Sequence, residues 1–189
     1  MTEYEHLRAC HPWLQDRVAR VLAAWRKGAA STGEGIRVTE SVRTLEAQQT
    51  YFAKGASRAD GVHAYSLHQF SPALAVDCIV FEGKHVPPSV SDEKWQRYAL
   101  AAEAERLEWG GRWKTLIDGP HIQIPLNQRV TLLQEALSRK GFACTPDGDL
   151  GPKTLAAIQA AETAFSIPTR AKTGWDRVSL LLWSKLHLP

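Results

Sequence analysis

At 189 residues, with 44% hydrophobic and 23% charged side chains, the chain suits one medium domain or two small ones and excludes disorder or a fibrous repeat. No apolar run approaches the roughly 20 residues of a membrane span, and the start MTEYEHLRACHPW has neither a basic n-region nor an apolar h-region, so neither membrane insertion nor a signal peptide is expected. Residues 125–189 hold eight Lys and Arg against five Asp and Glu and carry the whole net charge of +3, too sparse for a nucleic-acid partner but suited to weak attraction to an anionic polymer.

From the N-terminus, Pro12 opens a helix, with Leu14, Val18, Val21, Leu22 and Trp25 on one face at helical spacing. The glycine-rich stretch from Lys27 to Gly35 ends it. Ile36 to Val42 alternates apolar and polar side chains as a half-buried strand does, which puts Arg43 at a strand end. Leu45 to Lys54 reads as a short helix, followed by a loop to Tyr65. Ala75 to Phe81 is a β-rich run whose one charge, Asp77, needs a partner. Asp92 can cap a helix through about Leu107, and Trp109-Gly110-Gly111-Arg112-Trp113 reads as a turn, its tryptophans as core or pocket wall. Cys10, Cys78 and Cys144 are odd in number, far apart and without a CxxC pair, so reduced structural thiols are expected rather than a disulfide framework or a thiolate zinc site.

The composition shifts after Ile124, dividing the chain into residues 1–124 and 125–189. In the second part Val130, Leu133 and Leu137 describe a helix stopped by Gly141. The loop Thr145 to Pro152 opens another helix carrying Thr154, Leu155, Ile158 and Ala161, and Val178 to Leu186 is a last apolar segment. About 65 residues of this kind suit a three-helix unit.

Chemistry concentrates in Ser66-Leu67-His68, Asp77, and Asp118-Gly119-Pro120-His121. Two imidazoles and one carboxylate make a protein tripod for Zn2+, which favours tetrahedral nitrogen and oxygen donors with one position left open. Asp118, three residues before His121, is placed to take a proton from an attacking water. Taken singly, each residue is ordinarily a core or surface hydrogen-bonding group. His6, His11, His63, His85 and His187 have no comparable context and read as structural or solvent-exposed, with His63 the strongest exception because of its loop.

Ser66-x-His68, Ala75-x-Asp77, Trp109-Gly110-Gly111-x-Trp113 and Asp118-x-x-His121, in that order, resemble the VanY-like zinc D-alanyl-D-alanine carboxypeptidases and L-alanyl-D-glutamate endopeptidases, a family that includes many phage endolysins. The resemblance spans residues 36–124 and includes an upstream Arg43-x4-Gln48. It implies an α+β domain with a central antiparallel sheet flanked by helices. It also implies zinc on His68, Asp77 and His121, Asp118 as general acid/base, and Arg43 holding a substrate carbonyl or carboxylate. Gln48 and Ser66 would serve substrate binding, Ser66 by supporting the site with a hydrogen bond. The family form separates the first histidine and the aspartate by seven residues. Here the separation is nine, with Ser71-Pro72-Ala73-Leu74 between them, and the extra pair is expected to bulge outward. Asp118, where carboxypeptidase members usually carry Glu, tilts the reading toward L-Ala-D-Glu cleavage. The alternatives are a D-Ala-D-Ala carboxypeptidase and, from another class, a non-catalytic wall-binding protein.

Residues 125–189 resemble the three-helix peptidoglycan-binding fold through Leu133-Gln134-x-x-Leu137, Gly141-Phe142, Asp147-Gly148-Asp149-Leu150-Gly151-Pro152-Lys153-Thr154 and Ala157-Ile158. The glycines and Asp147 can equally be a structural turn, with binding on the groove beside it. Together the two resemblances imply a monomeric endolysin whose partner is peptidoglycan, made in a host cytoplasm and acting on the wall after release.

Overall fold

A computed structural model of the chain describes residues 1–29 and 33–187. Helix α1 (Glu3–Arg8), closed by a capping box between Thr2 and Glu5, had no periodic signal of its own. Helix α2 (Pro12–Ala29) buries Leu14, Val18, Val21, Leu22 and Trp25, the face that the spacing predicts. Its expected glycine-rich stop falls partly on residues 30–32, outside the described residues. Strand β1 (Glu34–Glu40) is followed by α3 (Leu45–Ala53), capped by Thr44, and by strand β2 (Ala75–Glu82). Asp92 caps α4 (Glu93–Ala104) as expected. That helix stops short of Leu107 because Arg106 takes a left-handed φ of 60° and turns Leu107 into the core.

The expected turn at Trp109 is a two-residue strand, β3 (Glu108–Trp109), running into a 3-10 turn at Gly110–Arg112, and the segment after it returns as β4 (His121–Gln123). The four strands form one sheet in the order β1-β2-β4-β3, every neighbouring pair antiparallel. This is the α+β arrangement the sequence implies. One face of the sheet presents Val38, Val76, Cys78, Val80, Ile122 and Trp109 to α2 and α4, and these side chains are buried. Strand alternation sends Asp77, His121 and Gln123 to the opposite face.

After β4 come α5 (Leu126–Arg139), α6 (Pro152–Ala164) and α7 (Leu180–His187), the three helices expected of the C-terminal part. The loop before α6 is tied around the buried Gln134. Its amide donates to Asp147 Oδ1 at 2.7 Å, Asp149 O at 2.9 Å and Thr154 Oγ1 at 2.9 Å, and its oxygen accepts from the Gly148 N–H. Gly148, at φ +77°, makes that turn possible. The hydrophobic core is continuous across residue 124: Phe70 packs against Trp175 and Trp183, and the Trp183 indole donates to Pro72 O.

That contact corrects one expectation. Ser71 is exposed, but Phe70, Ala73 and Leu74 are buried, so the longer spacing between His68 and Asp77 turns inward rather than bulging into solvent. Ala73 bonds Ala9 and His11 through its backbone, at 2.9 Å each, so the extra length is spent on a seam between the N-terminal segment and α7.

His11 sits in this seam, 5.9 Å from the Trp183 ring and 5.3 Å from His187. Burial, with His187 and Arg139 nearby, pushes its imidazole down to about 4. Between its ordinary value of 6.5 and about 4, the unfolded chain therefore binds a proton that the folded chain refuses, and acid favours unfolding over that window. Urea unfolding followed from pH 7 to pH 4 should show a loss on the order of 3 kcal/mol from this group. The His11→Asn variant, which keeps an acceptor for the Trp13 N–H, should be less stable at pH 7 but flatter across the window.

Candidate metal centre

Asp77 and His121 are directly opposed residues of β2 and β4, so their side chains rise side by side from the open face of the sheet. His68 comes from a 3-10 turn, Leu67–Gln69. Ser66 caps that turn by accepting from the His68 N–H at 3.4 Å, and Gln69 Oε1 accepts from the Ser66 N–H at 3.0 Å. Two further backbone bonds fix the turn: Arg43 N–H to His68 O at 2.9 Å and Leu74 N–H to Leu67 O at 3.1 Å.

The three side chains converge. His68 Nε2 and His121 Nδ1 each lie 3.1 Å from Asp77 Oδ1 and 3.1 Å from one another. The far nitrogen of each ring is spent elsewhere, His68 Nδ1–H on Ser41 O at 2.9 Å and His121 Nε2–H on Gln123 Oε1 at 3.0 Å. Both inward nitrogens therefore present lone pairs, and three acceptors face one another. Such a set is stable only around a cation or a shared proton. The 3.1 Å separations are close to the edge of about 3.3 Å expected for a tetrahedron of ligands about 2.0 Å from zinc. These residues form a group that could hold a metal ion. Burial alone would raise the Asp77 carboxyl, but His68 and His121 hold it well below the ordinary carboxylate range. Burial works against a charged His121, and Asp77 overcomes it and raises the imidazole above its ordinary value.

An outer layer holds these groups in place. Gln123, two residues after His121 on the same face of β4, donates to Glu108 Oε2 at 2.9 Å, and Glu108 Oε1 accepts from the Trp113 indole at 2.8 Å. Trp113 also flanks the His121 ring at 5.0 Å. Ser41, Glu108 and Gln123 were not singled out from sequence. Gln123 alone left a signal, its period-2 spacing from His121.

Arg43 lines the cleft, but its donors are turned on protein acceptors. It pairs with Glu40, reaches Gln48 Oε1 at 2.9 Å and Asp77 Oδ2 at 3.5 Å, and stacks over Tyr51. Gln48, expected to touch substrate, is fully buried: its amide donates to Ser57 Oγ at 2.8 Å and Ala59 O at 2.6 Å and so braces a loop instead. Ser66 both caps the histidine turn and lines the cleft. His63 is exposed and bonded to Asp60, apart from the converging set.

Asp118 lies in the segment before β4, which is anchored at three points. Its own N–H donates to Gly110 O, Trp109 donates to Gly119 O, and Pro120 O accepts from Tyr98 and from the Cys78 N–H. Its carboxyl lines the cleft with the metal-type residues, raised above its ordinary value first by burial and second by Asp77. The cleft encloses about 620 Å³, walled by Tyr51, Tyr65, Trp113 and Ile117.

A family model described as D-alanyl-D-alanine carboxypeptidase matches residues 60–124, the span containing His68, Asp77, Asp118 and His121. An L-alanyl-D-glutamate peptidase of Listeria phage A118 is 30% identical over 106 residues, covering 56% of this chain and 34% of the relative. The chain thus spans about a third of that relative's length. The peptidoglycan L-alanyl-D-glutamate endopeptidase CwlK of Bacillus subtilis (strain 168) is 24% identical over 127 residues, 60% of this chain and 72% of that protein. Among solved structures, the Serratia marcescens L-Ala D-Glu endopeptidase ChiX superposes with a TM-score of 0.50 at 28% identity, covering 67% of this chain and 89% of that one.

Gly110 permits the close approach of the Asp118 segment, since a Cβ there would lie 2.6 Å from Asp118 O and 3.1 Å from His121 Cβ. Gly110→Ala should cost about 1–3 kcal/mol by overpacking. Urea unfolding measures this, and an unchanged midpoint would contradict the packing described.

Proposed function

We propose that this chain, a relative of the VanY-like L-alanyl-D-glutamate endopeptidases, is a zinc-dependent peptidoglycan peptidase that hydrolyses the L-Ala-D-Glu amide of the stem peptide. The observation carrying this reading is the convergence of three acceptors from His68, Asp77 and His121 beside an open cleft, with both imidazoles oriented from behind. A zinc ion bound there supplies Lewis acidity, polarising the scissile carbonyl and making water acidic enough to attack near neutral pH.

The chain's own groups do the rest. Asp118 accepts the proton of the attacking water as the new C–O bond forms, and returns it to the amine as the C–N bond breaks. A carboxyl raised by burial suits both halves of that transfer. Arg43 holds Asp77 by its Oδ2, leaving Oδ1 to face the imidazoles. Ser66 fixes the backbone of His68, and Trp113 and Tyr65 wall the substrate channel.

Residues 125–189 serve in this reading as a wall-binding module. A groove of about 540 Å³ between Phe142–Thr145 and α6 is the surface offered to peptidoglycan, while the Asp147–Asp149 loop, tied to Gln134, is structural. Joining a catalytic cleft to such a surface raises the effective concentration of an insoluble substrate. The kinship with a Listeria phage peptidase supports a lytic role on the wall at the end of an infection. No helix among the described residues is long and apolar enough to cross a membrane.

The second reading, D-Ala-D-Ala carboxypeptidase, draws on the description of the family matching residues 60–124. Mass spectrometry of digested peptidoglycan separates the two: new N-terminal D-Glu is expected, and loss of terminal D-Ala alone would sink the endopeptidase assignment. Asp118→Ala should lower kcat by about 10²–10⁴-fold while the purified protein keeps its zinc. Chelation should abolish activity and added zinc restore it. If neither change alters lysis of bare walls, the peptidase reading is wrong; if the unmodified zinc-loaded protein adsorbs to walls and releases no fragment, it binds walls without cutting them.

A further inference from the structure

Two arginines line the cleft among the described residues, and they are built differently. Arg43 is almost covered, its guanidinium committed to Glu40, Gln48 and Asp77. Arg58 is exposed, and among the described residues no acidic side chain pairs with it.

The backbone on either side of Arg58 is nonetheless fixed. The buried Gln48 amide donates to Ser57 Oγ at 2.8 Å and to Ala59 O at 2.6 Å, and the Ala59 N–H donates to Ser57 Oγ at 3.2 Å. Gln48 is itself held, its oxygen accepting from Arg43 at 2.9 Å. A cation is thus carried on a braced loop at the cleft wall with its charge unspent. Asp77 and Asp118, the acids of the same cleft, belong to the metal-type centre and the proposed proton transfer.

We propose that Arg58 is a specificity residue that receives a free carboxylate of the stem peptide. This rests on the peptidase reading above. A glutamate joined to its neighbour through its side-chain carboxyl keeps its α-carboxylate free beside the scissile amide, and a diaminopimelate at the third position carries another. A planar guanidinium meets a carboxylate through two parallel N–H donors, which an amide in the same place cannot accept. The contact favours substrate binding and leaves the chemistry to the metal-type centre, so its signature belongs in KM.

The test uses the full-length zinc-loaded protein and three soluble stem peptides: the free acid, the same peptide with the glutamate α-carboxylate as its amide, and one with lysine in place of diaminopimelate. Arg58→Ala should raise KM for the free acid about tenfold with kcat unchanged, and Arg58→Lys should recover part of that loss. The peptide on which Arg58→Ala has no effect identifies the carboxylate received. Equal KM for wild type and Arg58→Ala on every peptide would overturn the inference, as would a uniform fall in kcat. If the zinc-loaded wild type cuts none of the three, the peptidase reading fails, and the inference falls with it.

Discussion

Three hydrogen-bond acceptors point at one another on the open face of the sheet, and the rest of the fold is arranged to keep them there. Left to themselves, two imidazole lone pairs and a carboxylate at 3.1 Å would turn away or take up a proton. They are prevented from turning because each ring is anchored by its far nitrogen, His68 on Ser41 O and His121 on Gln123. The outward anchor chooses the tautomer, and the tautomer decides which nitrogen faces inward. Antiparallel pairing of β2 with β4 supplies the remaining constraint by placing Asp77 and His121 directly opposite.

The anchors are themselves anchored. Gln123 opposes Glu108 across β4 and β3, and Glu108 also takes the Trp113 indole, so the orientation of His121 depends on a chain of neutral and charged hydrogen bonds along the sheet edge. On the other side, Arg43 binds Glu40 and Asp77 and, through Gln48, reaches the loop that carries Arg58. One guanidinium therefore ties the centre to the wall of the cleft.

The segment after α6 and helix α7 take part in this scaffold. Arg170 donates to Tyr65 and, at 2.9 Å, to His63 O, stacking over the Tyr65 ring, while Trp183 bonds Pro72 O. Both contacts fall on the segments just before and just after His68. The added length between His68 and Asp77 is packed into this junction, so the part of the chain read as a wall anchor also supports the turn that carries a metal-type residue.

Elements with long or periodic signals, and the identity of the chemical set, are legible in the order of residues alone. Five apolar residues at helical spacing specify α2, the β-branched run specifies β2, and Asp92 marks the start of α4, because in each case the local pattern and the burial it produces share one period. His68, Asp77, Asp118 and His121 stood out through residue type and order. What sequence did not determine was contact. Strands of two and three residues, β3 and β4, are too short to be told from turns by pattern, so the pairs Asp77 with His121 and Glu108 with Gln123 exist only once the register is set. Gln48 looked like a substrate ligand and became a buried brace, and Ser71 to Leu74 looked like an outward bulge and became a seam. Burial and facing are properties of segments far apart in the chain, and only the tertiary structure brings those segments together.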